Sequence, residues 1–375
     1  MIKVMTIVGT RPEIIRLSRV IARLDETVEH VLVHTGQNYD YGLNGVFFKD
    51  LGIREPDHVL EVGTSSLGRV LGEVLIKSEE VLLKERPDAV LILGDTNSSI
   101  AAVIAKRMHI PVYHMEAGNR CFDENVPEET NRRLVDHVAD FNLVYTEHAR
   151  RNLLGESIHP RRILLTGSPM REVLTAYLPE IHASTVLERL SLTEGGYFLA
   201  SAHREENVDS PDRLRMLLEC LVAVRERWDL PVYTSTHPRT RKRLEALAGW
   251  AEPDGIVFHE PFGFHDFNRL QLGAACVLSD SGTIAEESTI LGFPAITLRG
   301  SIERPEALES GGIIMTDLDA HDVVEAVTVA MRDRRSEHGV SHVTPGDYLV
   351  ENTSARTVNF ILSTARRHKS WAGLR

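Results

Sequence analysis

The sequence predicts an α/β chain built from two doubly wound domains. Three observations carry this expectation. The chain has 375 residues, more than one simple core accommodates, so two domains are expected. Short β-branched runs alternate with helix-length segments, as in parallel sheets with crossover helices. The runs are apolar nearly throughout rather than alternating, which fits strands buried on both faces.

The first series of strands opens with KVMTIVG (3–9). GTRPE follows it and leads into IIRLSRVIARL, a helix with Pro12 well suited to its first turn. HVLVHTG (30–36), AVLILGD (89–95), PVYHMEAG (111–118), FNLVYTE (141–147) and RILLTGS (162–168) complete this series. A boundary is expected near 166–183, where GSPMREVL starts a helix and YLPEIHAS reads as a connector. The second series is YFLASAH (197–203), PVYTSTH (231–237), GIVFHEP (255–261), CVLSDSG (276–282), PAITLRG (294–300) and GIIMTDL (312–318). The tail 350–368 is amphipathic, with Val358, Ile361, Leu362 and Ala365 on one helical face.

Composition narrows the function classes. The chain is 42% apolar and 26% charged, ordinary for a globular protein. Its formal charge of −12 argues against general binding to nucleic acid or anionic membrane. The three cysteines have no CxxC spacing, so a reducing compartment and no disulfide framework are expected. MIKVMTIVGT is too short in its apolar run for a signal peptide, and no run approaches a membrane span. A cytoplasmic location is therefore expected.

Nearly every strand ends in polar or glycine-containing text. In open α/β sheets ligands bind outside the carboxyl ends of the strands, so two facing domains would place these tips around one cleft. At GTRPE, helix-terminal amides with Arg11 and Arg16 can hold an anion, although a plain strand–helix turn explains the motif equally well. Neither GxGxxG nor GxxxxGK[ST] occurs, so NAD and P-loop readings lose support. In DSGTIAEE, Thr283 and Glu286 fit a capping box, which explains Glu286 structurally. The amides of Ser281, Gly282 and Thr283 can cradle a phosphate, and Glu287 can accept bonds from two ribose hydroxyls. Arg304, in ERPE, either adds positive charge or belongs to a surface turn.

Asp95 could cap the following helix, worth on the order of 1 kcal/mol, but Asn97 could cap as well and leave Asp95 for other work. His203 begins HREEN, which is not HExxH, and the 17 histidines form no convincing metal set, so no metal is expected. In HMEAGNRCFDENVPEETNRR (114–133), Pro127 suits a first helical turn and Glu128 and Glu129 complement the helix dipole. Glu128/Arg132 and Glu129/Arg133 have the spacing of stabilising helix pairs. Glu116 is explained poorly in this way, since it closes a strongly apolar strand. Carboxylates at 95 and 116 would reach the same cleft.

In order along the chain, GTRPE, TGQ, GDT, EAGNR, PEETNR, SAHREEN, HP, EP, DSGTIAEE and ERPE resemble the non-hydrolysing UDP-N-acetylglucosamine 2-epimerases nearly end to end. The resemblance implies two Rossmann-like domains in a GT-B-like arrangement, with the active site in the interdomain cleft. It implies a C-terminal helix that returns to the first domain, giving domains 1–168 plus 352–375 and 169–351. It also implies homodimers and no redox cofactor. The reaction implied inverts C2 of a UDP-N-acetylhexosamine by eliminating UDP to a 2-acetamidoglycal and adding it back.

Position by position, Asp95, Glu116 and Glu128 look like the catalytic carboxylates, and His203 like the family's functional histidine near the leaving diphosphate. Arg11, Ser281 and Gly282 look like diphosphate contacts, Glu287 like the ribose-binding glutamate, and Phe267 like an aromatic near the uracil. Arg204 and His237 match further cleft positions. The loop NRCFDENV is similar to the branch that converts UDP-N-acetyl-6-deoxy-L-talosamine into UDP-N-acetyl-L-fucosamine, an alternative to interconverting UDP-GlcNAc and UDP-ManNAc. Gln37 matches one residue of the activator site of some bacterial relatives, but Asp40 departs from it, so activation by a second UDP-GlcNAc is not expected. A hydrolysing 2-epimerase, a GT-B glycosyltransferase and a UDP-sugar-binding regulator without activity are the remaining readings.

Overall fold

The continuous apolar runs form two wholly parallel sheets in a computed structural model that describes residues 1–36, 47–334 and 344–374. Gln37 and Asp40 lie outside the described residues. The first sheet contains β1 (Lys3–Val8), β2 (Glu29–His34), β3 (His58–Val59), β4 (Ala89–Leu93), β5 (Val112–Met115), β6 (Phe141–Val144) and β7 (Ile163–Leu165). Its strand order is β3-β2-β1-β4-β5-β6-β7. The second contains β8 (Phe198–Ser201), β9 (Val232–Ser235), β10 (Ile256–His259), β11 (Val277–Ser279), β12 (Ala295–Leu298) and β13 (Ile314–Thr316), in the order β10-β9-β8-β11-β12-β13. Both orders reverse direction once, between β1 and β4 and between β8 and β11. These are the doubly wound, Rossmann-like sheets expected, and each reversal opens a crevice at strand carboxyl ends. Every strand read from the sequence is present. The addition is β3, whose two residues carry no pattern long enough to read.

Burial explains why the strands lack alternation. All five residues of β4 are buried, as are all four of β5 and of β6. One core layer joins Met5, Ile7, Val31, Val33, Val90 and Ile92 to Val74, Leu82, Ala101 and Ala105. The other face of β1 is covered by the helix Arg11–Thr27, which buries Ile14, Leu17, Ile21 and Leu24. In the second sheet, Phe198, Ala200, Val232, Leu278 and Ile296 pack with Leu214, Leu217, Leu221 and Val327.

The chain divides into Met1–Ala176 with Gly346–Arg375, and Tyr177–Pro345. The expected limits were 168/169 and 351/352. The first division falls inside one continuous helix, Met170–Ala183. The second comes earlier because the turn Gly346–Tyr348 is bound to the first unit. Ser168 N donates to Asp347 O at 2.9 Å, and Glu147 N donates to Asp347 Oδ2 at 3.0 Å.

The helix Thr353–Thr364 packs against Arg11–Thr27. Val358, Ile361 and Ala365 are buried, but Leu362 is 41% exposed. Ser354, Thr357 and Thr364 are buried beside Ile361, which turns the inward face away from Leu362. Tyr113 Oη lies 2.6 Å from Thr364 Oγ1, and Phe360 sets its edge against Tyr113 and Phe141. Among the described residues no helix is long and apolar enough to cross a membrane.

Candidate active site

The first unit gathers its polar chemistry at the tips of β1, β4 and β5. After β1 the chain turns at Gly9, where a side chain has no room. An added Cβ would lie 2.5 Å from Thr35 Oγ1 and 2.9 Å from Ser98 Cβ. The helix that follows has Thr10 as its N-cap residue, with no side-chain capping bond. Glu13 reaches back instead and accepts from Gly9 N at 2.6 Å and Thr10 Oγ1 at 3.1 Å. It also accepts from Thr96 Oγ1 and, at 3.0 Å, from Ser98 Oγ, so it ties the β1 tip to the β4 tip. Burial pushes this carboxyl up to about 7, while the hydroxyls and the Gly9 amide pull the other way. Arg11 opens the same helix with its guanidinium 5.5 Å from the Phe47 ring centre, and burial lowers its pKa. Among the described residues it has no carboxylate partner.

Asp95 and Glu116 follow adjacent strands, β4 and β5. Neither carboxylate stands alone. Arg132 Nε donates to Asp95 Oδ2 at 2.6 Å, and Asn131 Nδ2 donates to Asp95 O at 2.9 Å. Arg16 Nη1 pairs with Glu116 Oε2, and both side chains are more than nine-tenths buried. Arg16, expected as an anion ligand, is thus engaged with a carboxylate of its own unit. Glu116 has φ 65°, in the left-handed region that side chains rarely adopt. Glu128 lies half-buried in the first turn of the helix Pro127–Val138. Its neighbour Glu129 is buried and pairs with Arg132 at 2.9 Å and Arg133 at 3.3 Å. Burial raises the Glu129 pKa, but bonds from Cys121 and Arg132 outweigh it and hold the group below its ordinary value.

In the second unit, Asp280 organises the tips of β8 and β11. It is fully buried and accepts from His203 N at 3.1 Å, Arg204 N at 3.1 Å and Asn207 Nδ2 at 3.1 Å. His203 Nδ1 lies 3.3 Å from Asp280 Oδ1, with the imidazole half exposed. The carboxylate therefore orients the ring. Arg204 Nε donates to Asp280 O at 2.8 Å, and its Nη2 reaches Glu303 Oε1 at 3.3 Å.

The Ser281–Thr283 turn departs from the expected capping box. Thr283 makes no side-chain capping bond. Its hydroxyl faces Ser281 Oγ at 2.9 Å, and Ser281 Oγ accepts from Thr283 N at 3.3 Å. Glu286 is buried and lies 3.4 Å from Arg304 Nε. Arg304, itself buried, also donates to Gly282 O. A side chain at Gly282 would meet Glu303 Oε1 at 2.7 Å and Arg304 Nη1 at 2.9 Å. Only glycine lets the backbone come so close to this pair. Glu287 accepts from Gln271 Nε2 at 2.7 Å. Phe267 is half-buried on the helix Phe264–Gly273. His237 caps the helix Pro238–Glu245, its Nδ1 accepting from Arg239 N at 3.2 Å.

A model of the family described as UDP-N-acetylglucosamine 2-epimerase matches residues 22–362. The chain belongs to that family. It is 37% identical over 345 residues to the UDP-N-acetylglucosamine 2-epimerase of Methanocaldococcus jannaschii, a match covering 89% of this chain and 93% of that protein. It superposes with a TM-score of 0.91 and 45% identity on the UDP-N-acetylglucosamine 2-epimerase of Rickettsia bellii, covering 98% of each chain. It also superposes on the M. jannaschii epimerase in complex with UDP-GlcNAc and UDP, with a TM-score of 0.89, 34% identity and coverage of 96% and 100%.

For this UDP-N-acetylglucosamine 2-epimerase family member, the sequence reading left out the groups that hold the named ones in place. Arg132 and Asn131 fix Asp95, Glu13 fixes the GTRPE turn, and Asp280 with Asn207 fixes His203. The available signals were Glu13 inside GTRPE, Asp280 at the end of CVLSD and Asn207 inside HREEN. Arg132 had only a helical-pair explanation.

Proposed function

We propose that the chain is a non-hydrolysing UDP-N-acetylhexosamine 2-epimerase that interconverts UDP-GlcNAc and UDP-ManNAc. The observation that carries this reading is the pair of strand-end carboxylates, Asp95 and Glu116, each held by its own arginine. Family membership supports it.

In the proposed reaction, the C1–O bond to UDP breaks and its electron pair leaves with the diphosphate. Oxocarbenium character at C1 acidifies the C2 hydrogen, and a carboxylate removes that proton to give the 2-acetamidoglycal. UDP then adds back to C1 while C2 takes a proton on its other face. Two faces exchange protons, so more than one acid/base group is needed. Asp95, Glu116 and Glu128 are proposed for these transfers.

Arg11, the Ser281–Thr283 turn and His203 are proposed to meet the departing diphosphate, although Ser281 N and Thr283 N donate to Ser279 Oγ and Ser281 Oγ within the turn. The partly buried Arg11 lacks an anionic partner among the described residues, which supports this role. Glu287 is proposed to accept from the ribose and Phe267 to lie at the uracil, with Arg204, His237 and Arg304 around them. No added metal or NAD is required. A homodimer is proposed, in keeping with Ile76 and Leu83, which are exposed one above the other on the helix Leu67–Glu85.

Incubation with a panel of UDP-N-acetylhexosamines in D2O, followed by NMR, tests the reading. The panel includes the 6-deoxy-L-talosamine derivative. Deuterium at C2 together with UDP-ManNAc from UDP-GlcNAc is the expected result. Exchange with the 6-deoxy-L-talosamine derivative alone would transfer the assignment to that sugar. Free ManNAc plus UDP, or a glycoside, would overturn the non-hydrolysing mechanism.

A further inference from the structure

Beneath the three proposed carboxylates lies a charged network that the proposed reaction does not use. His114, on β5, is buried. Its Nε2 is 2.8 Å from Gly94 O, and its Nδ1 is 2.9 Å from Asp136 Oδ1. Gly94 is the residue before Asp95, and its N–H donates to Met115 O at 3.0 Å. Asp136 is fully buried on the helix whose first turn carries Glu128. It also accepts from Gly118 N at 3.1 Å, just after Glu116, and from Arg120 Nη1 at 2.7 Å. Arg120 forms a second pair with Glu156 at 2.7 Å.

A carbonyl oxygen can only accept. Asp136 receives N–H donors from Gly118 and Arg120, which marks it as a carboxylate and so as an acceptor too. Burial raises the Asp136 pKa, but its bonds to His114 and Arg120 outweigh this and hold it below the ordinary value. Both ring nitrogens of His114 therefore face acceptors. With both protonated, His114, Arg120, Asp136 and Glu156 make two positive and two negative charges, and the network is neutral.

We propose that His114 is held as a buried imidazolium whose two N–H groups lock the segments bearing Asp95, Glu116 and Glu128 into one arrangement. It is a positioning residue and touches no substrate. Nε2–H fixes the Asp95 tip through Gly94. Nδ1–H fixes the helix of Glu128 through Asp136, which in turn holds the turn after Glu116 through Gly118. The functional part of this proposal rests on the epimerase reading; the protonation state does not.

Protein labelled with 15N-histidine tests the protonation state directly. His114 is assigned by the signals lost in His114→Gln. Both ring nitrogens are expected in the protonated range, each with a bonded hydrogen; one unprotonated nitrogen would overturn the proposal. Activity tests the positioning. His114→Gln retains a donor near the Nε2 position and His114→Asn one near Nδ1. In each, kcat is expected to fall about 10- to 100-fold with KM changed by less than about threefold. A folded variant with kcat within about twofold of wild type would overturn the positioning role. If both variants unfold, His114 is assigned in the wild-type protein by correlating its ring with its own backbone in 13C,15N-labelled protein, and that spectrum still decides. Wild-type protein that exchanges no C2 hydrogen would sink the epimerase reading instead, a result separate from the spectrum.

Discussion

The two units present different groups at the carboxyl ends of their central strands. In the first, the tips of β4 and β5 present carboxylates, and arginines are folded in beside them. In the second, the tips of β8 and β11 present hydroxyls, a glycine turn and a half-exposed imidazole, while the buried carboxylate of Asp280 accepts from the chain's own N–H groups. Proton transfer demands ionisable groups of fixed position and tuned affinity. Holding an anion demands donors, and a glycine where the backbone must come close. The same fold supplies either, according to which residues follow the strands.

Substitutions can break this division of labour. The largest effect is expected in the first unit. Asp95→Asn and Glu116→Gln should each lower C2 hydrogen exchange by about 10²- to 10⁴-fold while UDP affinity stays nearly unchanged. A loss of UDP affinity matching the loss of exchange would erase the distinction between the units. Glu13 comes next. Its carboxyl binds a proton more tightly in the folded chain, with its pKa raised from 4.5 to about 7. Its contribution to stability is therefore fully present below pH 4.5 and is lost as pH rises through about 7. Relative to Glu13→Gln, wild-type protein should lose up to about 3 kcal/mol across that window, read from denaturant unfolding at several pH values.

The second unit should respond in binding rather than in protonation. Gly282→Ala is expected to weaken UDP about tenfold, about 1.4 kcal/mol by calorimetry, with Glu13's pH dependence intact. The smallest effect belongs to Thr283. Because its hydroxyl caps nothing, Thr283→Ala should cost less than about 0.5 kcal/mol in thermal or urea unfolding, against about 1 for a true capping threonine.

The comparison also separates what could be read from the sequence from what could not. Strands β4, β5 and β8 were legible because burial on both faces leaves an unbroken apolar run. Asp95, Glu116 and His203 were legible as polar groups that end those runs. Their partners were not. Arg132 reaches Asp95 across 37 positions and Arg16 reaches Glu116 across 100, distances over which local spacing carries no information. Local spacing also misled at Thr283 and Glu286, where a capping pattern was expected. Ser281 takes the Thr283 amide, and Arg304, brought in by the fold, sits over Glu286.

The return of Gly346–Arg375 to the first unit has a consequence for the order of events at the ribosome. His368 Nε2 lies 2.7 Å from Asp140 Oδ1, and Thr364 meets Tyr113, so residues near the end of the chain complete a core begun with the first strand. The first unit is thus completed only after all of the second has been synthesised. Until residues 346–375 emerge, the helix Arg11–Thr27 lacks the cover that Thr353–Thr364 gives it, whereas the second unit already has all of its own chain.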